Sequence, residues 1–307
     1  MVTIAKGGLL YRSSKQLPSM AHLTSPAAIA HPPVLGKSRR DEDYPFGSLL
    51  LAPDMRPHVA AFYLFARHAD DIADDPDMDR DVKLRRLDAL ETVLDGGAAT
   101  DEETRPALRL RESLHATGID DRPARDLLAA FRWDAKGGEC ADWTDLLAYC
   151  RQSAVPVGRF LLALHGEGPA SVPAADALCS AVQILNHVQD ARTDYRRLGR
   201  VYLPCEWMRQ VGVEPEVLGA SACTAPLRAC LDRVLGGARD LLATAGDLPR
   251  NLRNRRLRAE AAVIIELANR LERRLRSSDP LSRRVSPTPF DYAFSVSAGL
   301  WRAVVRR

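Results

Sequence analysis

The sequence predicts an all-α fold, a helical bundle, on three observations. Apolar residues recur at spacings of three and four from Pro57 onward, the period that lines one face of an α-helix. No stretch of useful length alternates apolar and polar residues as a half-buried strand would. Turn formers separate the runs at Gly96-Gly97, Gly166-Glu167-Gly168-Pro169, Gly236-Gly237 and Asp279-Pro280. With 307 residues, 46% of them hydrophobic, the chain can bury a sizeable core, and the pattern reads as one domain of roughly eight or more helices.

Taken in order, residues 1–40 are rich in Pro, Ser, Gly and basic residues, and Pro18, Pro26, Pro32 and Pro33 break any helical period. A mobile arm is expected there, with Met20 a candidate native start, followed by a single domain over 41–307. The first helical stripe is Val59, Phe62, Tyr63 and Ala66, and the second Leu84, Leu87, Leu90 and Leu94. Leu127, Leu128 and Phe131 form another, as do Phe160, Leu161 and Leu164. Leu178, Ala181, Val182, Leu185 and Val188 follow, then Leu227, Leu231, Val234, Leu235, Leu241 and Leu242, and finally Ala261, Ile264, Ile265, Ala268 and Leu271.

Composition excludes several functions. The 43 basic and 40 acidic residues nearly balance, which argues against a nucleic-acid partner. Uncharged stretches fall short of the roughly 18 apolar residues of a membrane span. Neither G-x-G-x-x-G nor a P-loop occurs. The six cysteines form no CxxC pair and no zinc-finger spacing, so they read as reduced thiols of a cytoplasmic protein. The charge is nevertheless segregated: acidic residues crowd Asp70 to Asp81, whereas residues 250–284 carry eleven Arg. That basic segment is either a solvated helix pair or a face for anionic lipid head groups. Phe290, Phe294, Trp301, Val304 and Val305, followed by Arg306 and Arg307, suit an interfacial helix, which would make the protein peripheral on the inner face of the membrane, or a last helix docked on the core.

Two acidic segments carry the chemistry. In Arg67-His68-Ala69-Asp70-Asp71-Ile72-Ala73-Asp74-Asp75, Asp70 and Asp74 are four apart on a helix and so share a face, with Arg67 one turn earlier. Like charges at that spacing destabilise an isolated helix by a few tenths of a kcal/mol. The arrangement suits Mg2+, which uses one or two protein carboxylates and completes its shell from water and phosphate. A solvated acidic helix end is the plain alternative. An EF-hand, suggested by Asp75, Asp77 and Asp79, fails because its sixth loop position is Arg80 rather than Gly. The second segment places Gln183, Asn186, Asp190 and Asp194 at steps of three, four and four, a polar stripe beside an apolar one. Two such claws on different helices could face each other and hold two or three Mg2+ ions against a diphosphate.

The paired DxxxD claws, followed by Gly199-Arg200-Val201-Tyr202-Leu203-Pro204, resemble the squalene/phytoene synthase family over roughly residues 38 to 280. Tyr149-Cys150-Arg151-Gln152-Ser153-Ala154-Val155-Pro156-Val157-Gly158 is similar to that family's YCxxVAGxVG helix. The resemblance implies a bundle around a central apolar cavity, with Asp70, Asp74, Asp190 and Asp194 holding Mg2+. It implies that Ser48, Arg67, Asn186 and Arg200 bind substrate, and that Tyr149, Tyr63 and Gln189 take part in the chemistry. The implied substrate is presqualene diphosphate or farnesyl diphosphate, with other enzymes of the squalene pathway as possible partners. Gln189, where family members commonly carry Arg, together with Ser153 and Pro156, is similar to the branch that quenches a rearranged cation with water and needs no NADPH. Alternatives within the family condense two prenyl diphosphates to presqualene diphosphate, squalene or phytoene. Outside it stands a non-catalytic helical partner of isoprenoid enzymes.

Overall fold

Pro57 opens the first helix, where its missing N–H breaks no hydrogen bond, in a computed structural model that describes residues 51–288 and 290–297. The chain runs through α1 (Arg56–Ala73), α2 (Arg80–Leu94), α3 (Arg105–Thr117), α4 (Arg122–Ala135), α5 (Trp143–Ser153), α6 (Val155–Leu164), α7 (Val172–Leu198), α8 (Cys205–Gln210), α9 (Ala225–Ala245), α10 (Leu248–Asn251) and α11 (Arg255–Ser277). Residues 290–297 are helical as well, and no strand occurs among the described residues. The arm at 1–40, Met20, Ser48, Trp301, Val304, Val305, Arg306 and Arg307 lie outside the described residues.

The helices bury their stripes in two apolar clusters. One joins α1, α2, α3, α4 and α6 through Phe62, Phe65, Leu87, Leu110, Leu127 and Phe160. Phe62 and Phe160 stack within it at 4.2 Å. The other joins α5, α7, α8, α9 and α11 through Leu146, Leu185, Met208, Leu231 and Leu271. The first acidic segment ends α1 and the second lies on α7, so each cluster supports one claw. α1 packs chiefly on α2, α3 and α4, and α7 on α5, α6, α9 and α11. The claws are therefore linked through α4, α5 and α6 rather than by an extensive α1 to α7 contact.

Two local expectations are corrected. Gly236-Gly237 is no separator: α9 runs straight through it. A Cβ on Gly237 would come within 2.4 Å of the Trp143 ring, so this glycine serves close packing rather than a turn. The block resembling a single helix is two, because α5 ends at Ser153 and Pro156, unable to donate within a helix interior, sits in the first turn of α6. Most arginines of the basic segment are exposed, which suits either reading of it. Within α11, Arg270 and Arg274 pair with Asp291, and Arg276 with Glu272.

Gly158 lets α6 lie against α7, since a Cβ there would meet Cys179 Sγ at 2.6 Å. Gly158→Val therefore overpacks the contact and lowers stability by about 1–3 kcal/mol, to be read from urea unfolding midpoints.

Candidate active site

The first claw sits at an electrostatically unfavourable place. The C-terminus of a helix carries partial negative charge, yet α1 ends in Asp70, Asp71, Asp74 and Asp75. The chain answers with cations from elsewhere. Arg200 donates to the Asp74 carboxylate and, at 2.8 Å, to the Ala73 carbonyl. Lys83 donates to the same carbonyl at 2.9 Å, and Arg67 donates to Asp71 at 2.9 Å. These cations do not offset the burial and acidic surroundings of Asp70. Its carboxyl is held well above the ordinary carboxylate range, first by burial and then by Asp74, Asp134 and Asp71, with Arg67 opposing. Tyr63 lies buried two turns earlier on the same helix.

The second claw lies midway along the polar stripe of α7. Asp190 is buried, while Gln183, Asn186 and Asp194 are partly exposed. Arg284 reaches Asp190 at 3.3 Å. The Gln189 amide donates to the Val285 carbonyl at 2.6 Å and to Ser286 at 3.3 Å, and Arg192 donates to the Leu281 carbonyl at 2.9 Å. Gln189 thus fastens the chain after α11 along α7, which brings Arg284 to the claw. Gln152 is exposed, and Ser153 Oγ is buried with no hydrogen-bond partner among the described residues.

A polar hub joins the two. Gly199 adopts a left-handed conformation (φ 65°) that ends α7 and turns the chain so that Arg200 points back to α1. Asp134, at the end of α4, accepts from Tyr149 at 2.8 Å and from Tyr202 at 2.7 Å. Arg200 also reaches the Tyr202 oxygen at 3.3 Å. His187 stacks on Tyr202 at 3.9 Å, and Trp133 lies against Tyr149 at 4.8 Å. Burial and the Asp134 charge hold the Tyr202 phenol well above its ordinary range, with Asp194 adding to the rise. The hub is therefore within electrostatic reach of Asp74 on one side and Asp194 on the other.

Burial pushes the Asp134 carboxyl up to about 6, although Arg200 and the two phenols favour its ionised form. The folded-state value lies above that of the unfolded chain. This group's contribution to stability is thus full at low pH and is lost as pH rises through about 6. Unfolding free energies measured from pH 4 to 8 should show this falling component, and Asp134→Asn should lack it.

Sequence reasoning overlooked Asp134 and Arg284. Asp134 lies three residues past Phe131 on the apolar stripe of α4, and a carboxylate on such a stripe was its signal. Arg284 was submerged in a basic run, and nothing local sets it apart. Tyr202 stood inside a block valued only for its pattern.

Among the described residues, no three His, Cys, Asp or Glu side chains converge into a metal cage. Each claw instead offers a pair of carboxylates, and at Asp70 burial and three neighbouring acids disfavour the ionised form that a cation would favour. That donor set fits Mg2+, whose remaining ligands are water and phosphate oxygens.

The all-helical bundle matches solved squalene-synthase-type folds. The crystal structure of squalene synthase HpnC from Alicyclobacillus acidocaldarius matches with a TM-score of 0.66 at 28% identity, covering 76% of this chain and 87% of that one. A dehydrosqualene synthase crystal structure shares the fold, with a TM-score of 0.69 at 22% identity over 85% of this chain and 91% of that one. The squalene/phytoene synthase family model matches residues 37–291. A hydroxysqualene synthase from Rhodopseudomonas palustris is 41% identical over 89% of this chain and 92% of its own length. Another, from Zymomonas mobilis, is 38% identical over 82% of this chain and 84% of its own. The chain belongs to the squalene/phytoene synthase family.

Proposed function

We propose that this chain converts presqualene diphosphate to hydroxysqualene and diphosphate. The observation that carries the reading is the near full-length identity, 38–41%, to three hydroxysqualene synthases. The C–O bond to diphosphate breaks with its electron pair on the leaving group. The cyclopropylcarbinyl cation rearranges, the oxygen of a water molecule closes a new C–O bond, and one proton departs.

Asp70, Asp74, Asp190 and Asp194 hold two or three Mg2+ ions in this reading. Bound magnesium draws off the negative charge that develops on the departing diphosphate. Arg67, Asn186 and Arg200, with Ser48, hold the diphosphate, and Arg200 exchanges Asp74 for the leaving group. Tyr63 and Tyr149 border the cation, and the two apolar clusters wall a central cavity for the hydrocarbon chains. Gln189 acts by holding the chain after α11 against α7. No helix among the described residues is long and apolar enough to cross a membrane. Phe290 and Phe294 are the exposed aromatic residues of the 290–297 helix, and they support peripheral contact with the inner membrane face, where such a substrate dissolves and other squalene-pathway enzymes would meet it.

Purified protein with magnesium and presqualene diphosphate, with and without NADPH, tests the reading by mass spectrometry of the product. Hydroxysqualene in equal amount under both conditions is expected. NADPH-dependent squalene, or no turnover, would reject it.

A further inference from the structure

Water capture leaves a protonated alcohol. In a cavity that excludes bulk solvent, that species re-ionises unless its proton is taken. With the claw carboxylates turned to cations in this reading, a carboxylate outside the claws is the protein's own acceptor beside the departing diphosphate. Asp134 is buried, belongs to neither claw, and accepts from two phenols at once.

Each Asp134 oxygen takes one phenolic hydrogen: Oδ2 that of Tyr149 and Oδ1 that of Tyr202. Both phenols therefore direct their hydrogens at the carboxylate and turn oxygen lone pairs away from it. The Tyr202 oxygen is drawn on by Arg200, which makes Tyr149 the better proton acceptor of the two. Trp133, Tyr202 and His187 surround the Tyr149 ring and fix its plane.

We propose that Asp134 is a positioning residue and the terminal proton acceptor of water capture, acting through Tyr149. The water oxygen forms the C–O bond, and its proton passes to Tyr149 Oη. The phenolic proton of Tyr149 passes to Asp134 Oδ2 in the same event. Tyr149 ends neutral, Asp134 ends protonated and the alcohol is neutral, so atoms and charge balance without a co-reactant. The proton later leaves to solvent.

The groups that face Asp134 are Asp70 and Asp74 from α1, Tyr149 from α5, Tyr202 and Arg200 from the chain after α7, and Cys140 beyond α4, with His187 of α7 stacked on Tyr202. Arg200 is the counter-charge that keeps Asp134 ionised near neutral pH, while burial keeps it basic enough to accept. A general base of this kind contributes about 10²–10⁴-fold to a rate.

This inference rests on the proposed reaction, so the unaltered protein is the first arm of the test. With magnesium and presqualene diphosphate, diphosphate release and alcohol yield are measured separately from pH 5 to 8. Asp134→Asn should keep diphosphate release within about threefold while alcohol formation falls by about 10²-fold or more. Elimination products should take its place. The variant should also lose the rise in alcohol yield through about pH 6. Asp134→Glu should restore part of the alcohol yield, which a purely structural role would not. Tyr149→Phe, which leaves Asp134 bonded to Tyr202, should lower the share of turnover that ends in alcohol even if Asp134→Asn folds poorly. Alcohol yield and pH profile unchanged in both variants would overturn the proposal alone. No turnover by the unaltered protein would overturn the reaction and this proposal with it.

Discussion

Asp190→Asn lowers diphosphate release from presqualene diphosphate by about 10³-fold or more, while the chain stays folded. The size of the effect follows from what the side chain does. It is buried in the middle of α7, and its net charge is the larger part of its value to a bound cation. Removing a single donor from an oxyanion hole already costs about 10²–10³-fold, and losing Asp190 in its proposed role as a metal ligand would remove more charge than that. The stability effect is small by comparison. The substitution breaks the contact with Arg284, whose side chain is about one-third exposed and can turn to water. It also ends the cost of burying a carboxylate, so the two terms oppose each other. Continuous diphosphate detection beside a thermal unfolding curve separates them. A loss of less than tenfold would show that the second claw is not part of the reacting site.

Arg200→Ala is the largest expected loss of stability. Arg200 is buried and serves three acceptors at once: the Asp74 carboxylate, the Ala73 carbonyl and the Tyr202 oxygen. Deleting one partner of a buried ion pair commonly costs about 3–5 kcal/mol because the other is left unpaired. Asp74 is 27% exposed and can be rehydrated in part, which places the expected loss near the lower end, about 3 kcal/mol. The C-terminus of α1 would then carry its carboxylates with Lys83 as the remaining cation on the Ala73 carbonyl. Arg200→Lys recovers little, because one ammonium cannot reproduce a fork spread over three acceptors. Urea unfolding gives the number. A midpoint within error of the unaltered chain would show that the hub does not hold α1 in place.

How much of this was visible beforehand depends on the range of the interaction. Claw residues such as Asp70 and Asp74, or Asp190 and Asp194, reveal themselves because a helix converts a spacing of four into a shared face. The apolar stripes of α1, α7, α9 and α11 are visible for the same reason. Asp134 and Arg284 were hidden because their partners lie far away in sequence. Asp134 meets Tyr149 and Tyr202, the latter 68 residues on, and Arg284 meets Asp190, 94 residues back. Gly237 misled because a glycine that admits a Trp ring and a glycine that makes a turn look alike in sequence, and only the approach of Trp143 separates them. The basic residues of α11 divide. Their number suggests an outward face, which Arg255, Arg256 and Arg273 have, whereas Arg270, Arg274 and Arg276 meet Asp291 and Glu272 inside the fold.

The central claim is that the cation is quenched by water. Turnover of presqualene diphosphate in H2(18)O, with the alcohol analysed by mass spectrometry, tests it most directly. One heavy oxygen in each hydroxysqualene molecule is the predicted result. An alcohol carrying the original diphosphate oxygen, or a hydrocarbon product with no oxygen, would contradict it.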